Sequence, residues 1–177
     1  MNSMSKLKTE CDDERDCFSK EAMDKALEEL RDLGWDYYKE LNSKRLKKGE
    51  SGLTLHHLCL CQGAALYYAH LINRKTNPEY RGVKDFDVWL FVSGYNRNYS
   101  SRKPKKEKII VQCKPKKVDL LIYNSENFKN NSSLIEVLQN ELRRKTARCL
   151  LDKAIIDLSD NEVLYVNKEY SDKNKKC

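Results

Sequence analysis

The sequence predicts an α/β (α+β) domain, a mixed sheet flanked by helices. Apolar runs short enough for buried strands occur at 55–61, 83–92 and 118–123. Apolar residues recur at helical spacing through 23–33, 64–72 and 134–151. The 177 residues match one ordinary domain, and 40% apolar content is enough for a core.

Residues 1–18 are polar and acidic-rich, and read as a flexible leader before a single domain at 19–167. Ser19 is a good N-cap with Glu21 in the first turn. Met23, Ala26, Leu27, Leu30 and Leu33 follow on one helical face, and Gly34 reads as the stop. Trp35, Tyr38 and Leu41 suggest a second short helix, followed by a basic connector at 42–52. Leu55 to Cys61 reads as a buried strand, Gly63 as a sharp turn, and Ala64 to Ile72 as a helix with Leu66, Ala69 and His70 or Leu71 inward. A polar loop spans 73–84.

Val83 to Val92 is a strand with two faces. Phe86, Val88 and Leu90 lie on one; Asp85, Asp87, Trp89 and Phe91 lie on the other. Ser93 to Lys108 reads as a long basic loop containing Tyr95 and Tyr99, expected to be mobile. A hairpin follows: strands at 109–113 and 118–123, with 114–117 between them. Ser133 and Glu136 form a capping box that opens one long helix through Leu151. A last strand is placed at 161–166 and a disordered tail at 168–177.

The net charge is +7, with basic runs at 102–108, 114–117, 143–148 and 173–176. These are either solvated loops or a surface for a polyanion such as a nucleotide triphosphate or RNA. No apolar stretch is long enough to span a bilayer, and the start lacks a signal-peptide core. The seven cysteines are odd in number and irregularly spaced. Together these features predict a protein of the reducing cytoplasm, with no membrane partner. His56, His57, Cys59 and Cys61 invite a zinc reading, but ligands alternating along one strand rarely converge on one ion.

The chemistry concentrates in three acids. Asp85 and Asp87, two apart on a strand, project from one face. Asp119 opens a second apolar strand; pairing the two strands brings all three carboxylates to one edge. Such a cluster repels itself unless a cation sits within it. Hard oxygen ligands of this type suit Mg²⁺ or Mn²⁺.

The motif order Leu-Cys-Gln-Gly63-Ala64-Ala-Leu, Val-Lys-Asp85-Phe-Asp87-Val-Trp and Val-Asp119-Leu-Leu-Ile resembles the polymerase-beta-like nucleotidyltransferase superfamily. It resembles in particular the abortive-infection toxin nucleotidyltransferases. The resemblance covers residues 55–123. It implies a nucleotidyltransferase-type mixed sheet and transfer of a nucleoside monophosphate from a triphosphate, ATP among them, to RNA, protein or a small molecule. Asp85, Asp87 and Asp119 would hold the metal, and Asp119 would help deprotonate the acceptor. Gly63 and Ala64 would position the triphosphate, and Lys84 or Lys117 would offset its charge. The family usually has Gly-Ser or Gly-Gly where this chain has Gly63-Ala64, so one hydroxyl phosphate ligand is missing, while backbone amides remain. The alternatives are an inactive module of the same fold that binds nucleic acid or protein, and an RNA-binding protein that stacks bases on Tyr95 and Tyr99.

Overall fold

A helix of 28 residues, α1 (Lys20–Lys47), opens the domain in the computed structural model, which describes residues 15–73 and 82–168. The Ser19 hydroxyl accepts from the Ala22 amide at 3.1 Å, as a cap should. The expected stop at Gly34 does not occur: α1 runs on through Trp35, Tyr38 and Leu41 and takes in part of the expected connector. Gly34 serves packing instead. A Cβ at that position would stand 2.5 Å from a methyl of Leu58, which is buried on the sheet below. The glycine costs about 1 kcal/mol of helix propensity and in return lets the helix lie close to the strand. Gly34→Val is expected to destabilise the fold by about 1–3 kcal/mol through overpacking. Adding Leu58→Ala should recover part of that loss in urea melts, since contacting residues couple; strictly additive losses would refute the contact as the reason for glycine.

The end of the expected leader is anchored; residues 1–14 lie outside the described part. Asp16 forms an isolated antiparallel bridge with Val83. Phe18 is buried, and its amide and carbonyl both bond the Tyr67 hydroxyl, at 2.9 and 2.8 Å.

Strand β1 (Thr54–Cys61) passes directly into α2 (Gln62–Ile72). The left-handed residue of that turn is Gln62, at φ 68°; Gly63, expected at the turn, already lies in the first turn of α2. Most of the expected polar loop, 74–81, is outside the described residues. Strand β2 (Phe86–Ser93) starts after Asp85.

The segment expected as one long loop contains β3 (Tyr99–Ser100) and the start of β4 (Lys105–Val111). Alternation explains β4: Ile109 and Val111 are buried, while Lys106, Lys108 and Ile110 face out. The hairpin turn is Gln112-Cys113, both at positive φ (46° and 63°), as a two-residue turn between twisted strands requires. The expected turn residues 114–117 therefore belong to β5 (Lys114–Asn124).

A 3₁₀ helix (Glu126–Asn130) precedes the capping box, which is present at Ser133 and Glu136. The expected single long helix is two short ones, α3 (Leu134–Asn140) and α4 (Lys145–Leu150). The break falls at Glu141, which is drawn inward and only 8% exposed. Strands β6 (Ala154–Asp157) and β7 (Val163–Val166) complete the sheet.

The sheet order is β3-β5-β2-β1-β6-β7, with β4 also paired to β5. It is mixed: β2 runs parallel to β5 and antiparallel to β1. One face carries Leu58, Leu60, Phe86, Val88, Leu90 and Leu120 in a cluster shared with α1 and α2. The other carries Cys59, Cys61, Trp89, Phe91 and Tyr123, packed with Phe128 and residues of α3 and α4. Among the described residues, no helix is long and apolar enough to cross a membrane.

Candidate active site

Register brings the acids together. Asp87 lies opposite Asp119 across the parallel β2–β5 pair and opposite Cys61 across the antiparallel β1–β2 pair. Lys106 of β4 stands opposite Asp119 on its other side. Paired residues project from the same face of a sheet, so Cys61, Asp87, Asp119 and Lys106 form a row across four strands. Further along that face Trp89 and Phe91 are buried, whereas Asp87 and Asp119 are half-buried. The row therefore sits where the second face opens to solvent. Asp85, just before β2, is also half-buried.

Asp87 is the most perturbed acid of this row. Its carboxyl is pushed up from 3.8 to about 7, first by burial and then by the charges of Asp85 and Asp119; Lys153 opposes the shift. The Cys61 thiol is pushed well up by burial, with the Asp87 charge adding to it. Lys153 lies between α4 and β6, and a Cβ at Gly63 would stand 3.9 Å from its Nζ. Lys153 therefore joins the β1–α2 turn electrostatically to the acids. Sequence reasoning misses it, because a lone lysine between two apolar runs carries no motif.

Asp85, Asp87 and Asp119 come together electrostatically, and Gly63 adjoins them through Lys153. Ala64 is buried in the helical-side core, so its side chain offers nothing polar. Cys61 caps α2 without a side-chain hydrogen bond, leaving the first amides of the helix to find other partners. Lys84 and Lys117 line a pocket together with Asp85.

Among the described residues, no group of three or more His, Cys, Asp or Glu side chains is arranged to hold a metal ion. The donor chemistry nonetheless suits a hard cation: carboxylate oxygens dominate, and a raised carboxyl among like charges is what a bound cation would lower. Lys153 already supplies part of that positive charge.

Several of the remaining aromatic, basic and zinc-like residues have structural partners. Tyr95 and Tyr99 pack against each other at 5.2 Å between ring centroids, and the Arg45 guanidinium lies 4.6 Å from the Tyr95 ring. Both rings adjoin the Asn124 end of β5, away from Asp119. The basic run 143–148 is partly consumed: Arg144 donates to the carbonyls of Asn124 and Tyr99, and Arg148 to that of Leu142 at 2.6 Å. His56 bonds Ser93 at 2.7 Å, His57 lies 3.8 Å from Asp157, and Cys59 and Cys61 are buried. The run 173–176 lies outside the described residues. Comparison with known protein families, with curated proteins and with solved structures finds no match for this chain.

Proposed function

We propose that this corner of the sheet serves metal-dependent transfer of a nucleoside monophosphate from a nucleotide triphosphate to an acceptor hydroxyl. The observation that carries the reading is the in-register opposition of Asp87 and Asp119, with Asp85 close enough to help raise the Asp87 carboxyl. Asp85, Asp87 and Asp119 would hold Mg²⁺ or Mn²⁺. When bound, the ion supplies Lewis-acid stabilisation of charge on the transferring phosphoryl group. Asp119 would accept the proton of the acceptor hydroxyl. Lys153 offsets negative charge beside Asp87. Gly63 leaves room next to that ammonium, and the first amides of α2 are the donors available to a phosphate.

A second reading, an inactive module of the same fold, is favoured by Lys153 acting as a built-in counter-ion and by the absence of a closed three-donor set among the described residues. Thermal melts separate the two. Under the catalytic reading, metal plus nucleotide triphosphate at about 100 times Kd stabilises the wild type by about 2.7 kcal/mol, a rise of roughly 5–10 °C. Asp87→Asn should abolish most of that rise. A wild type indifferent to millimolar metal and nucleotide would support the inactive module.

A further inference from the structure

Beside Asp85 the β4–β5 hairpin and the residues leading into β2 border an open cavity of about 480 Å³. Its walls include Lys84, Lys108, Lys114 and Lys117, and Lys116 and Pro115 complete that side; Asp16 and Asp85 are its acids. Lys116 is committed: it is 4% exposed and bonded to Asp16 at 2.6 Å. That bond holds the Asp16 carboxyl below its ordinary value. Subtracting this pair leaves Lys84, Lys108, Lys114 and Lys117 around Asp85, with Lys108 and Lys117 on the acid face of the hairpin and Lys114 on the other face, where its charge also acts on Asp16.

Strand register makes the excess sharper. Lys108 stands directly opposite Lys117 across the antiparallel ladder, an arrangement that repels unless an anion sits nearby. Among the described residues, no carboxylate lies within 4.0 Å of the ammonium of Lys84, Lys108, Lys114 or Lys117. Lys117 also sits two positions before Asp119 on the same strand, so it shares the face of the acid row. The cavity thus adjoins the carboxylates on the side opposite the Gly63 turn.

We propose that this lysine-lined cavity binds a chain of phosphates. A phosphate chain suits it in three respects. It carries closely spaced charges that several ammonium groups can contact at once. It tolerates lysines, which act as point charges without demanding fork geometry. Lying beside Asp85, it also extends towards the acid row. The chain is either the tail of a nucleotide other than the triphosphate assigned to the Gly63 turn, or the backbone of a nucleic acid. The site deepens the transfer reading but does not depend on it, since phosphate can bind with the acids silent.

The test uses the full chain in metal-free buffer with two probes, inorganic tripolyphosphate and a 12-nucleotide single-stranded RNA, each across a salt series. The triple variant Lys108→Ser/Lys114→Ser/Lys117→Ser is compared with Lys47→Ser/Lys48→Ser/Arg143→Ser. The latter removes the same charge from exposed sites elsewhere. The hairpin variant should weaken at least one probe tenfold or more, and the control by less than threefold. For RNA its salt slope should also flatten, by about 0.7 for each phosphate that is no longer neutralised. Weakening confined to tripolyphosphate assigns the cavity to a nucleotide tail; weakening of RNA binding assigns it to a nucleic-acid backbone. Equal weakening in both variants, or no binding of either probe by the wild type, overturns the proposal. Asp87→Asn, tested alongside, should keep phosphate binding, so failure of the transfer chemistry is read separately.

Discussion

Glu141→Ala is expected to cost about 3–5 kcal/mol, the range for stripping one partner from a buried charged network. The two carboxylate oxygens of Glu141 accept from the Tyr123 hydroxyl at 2.5 Å, Ser125 Oγ at 2.5 Å, Asn127 Nδ2 at 3.0 Å and the Arg144 guanidinium at 3.2 Å. Burial, then the bond to Glu141, pushes the Tyr123 hydroxyl well above its ordinary value, so it stays a donor. Alanine would strand these donors and loosen Arg144, which stacks 3.8 Å from the Tyr123 ring and ties the ends of β3 and β5. At about 2–4 °C per kcal/mol, the melting temperature should fall by roughly 6–20 °C. Glu141→Gln, which keeps an acceptor but drops the charge, should lose less. A cost under about 1 kcal/mol for alanine would remove this network as the reason the chain bends between α3 and α4.

Asp87→Asn is expected to stabilise the protein in alkaline buffer. The folded carboxyl is held at about 7 against an ordinary 3.8, so folding disfavours its charged form. The wild type therefore loses stability as pH rises from about 4 to about 7, and the loss is complete above the folded value. The full difference between 3.8 and about 7 corresponds to roughly 4 kcal/mol. Partial exposure of the side chain reduces the expected gap between variant and wild type to about 2–3 kcal/mol at pH 8. At pH 4 the two should nearly coincide. Under the transfer reading, Mg²⁺ at pH 8 should raise the wild type towards the variant and leave the variant unmoved. Urea melts across this range would settle it: parallel curves would mean that Asp87 carries no strained charge.

The legible parts of this fold are those in which local pattern and tertiary role agree. The two faces of β2 follow from its alternation, so the common face of Asp87, Trp89 and Phe91 is readable in advance. Asp119 falls beside Asp87 by the same logic, and the register matches. Gly34 misleads because glycine both ends helices and permits close contact, and only the position of Leu58 decides between these. The break at Glu141 is invisible in the sequence because a glutamate looks helical until its buried partners are known. Strand β3 and the start of β4 hide in a polar stretch whose pairing with β5 supplies the order that its composition lacks. Lys153 reaches the acids only through the fold.

The lysines of β4 also bear on how copies of this chain meet. Among the described residues β4 pairs only with β5, so its outer side is a sheet edge. Edges invite strands from neighbouring molecules, and charge is the usual deterrent. Lys106 and Lys108 guard an edge whose next outward residue, Ile110, is 69% exposed. A polyanion that neutralises those lysines would lift the repulsion between copies while leaving Ile110 bare. Solutions of this protein should therefore turn turbid near charge equivalence with a polyanion, and clear again when excess polyanion or added salt restores the imbalance or releases the ligand.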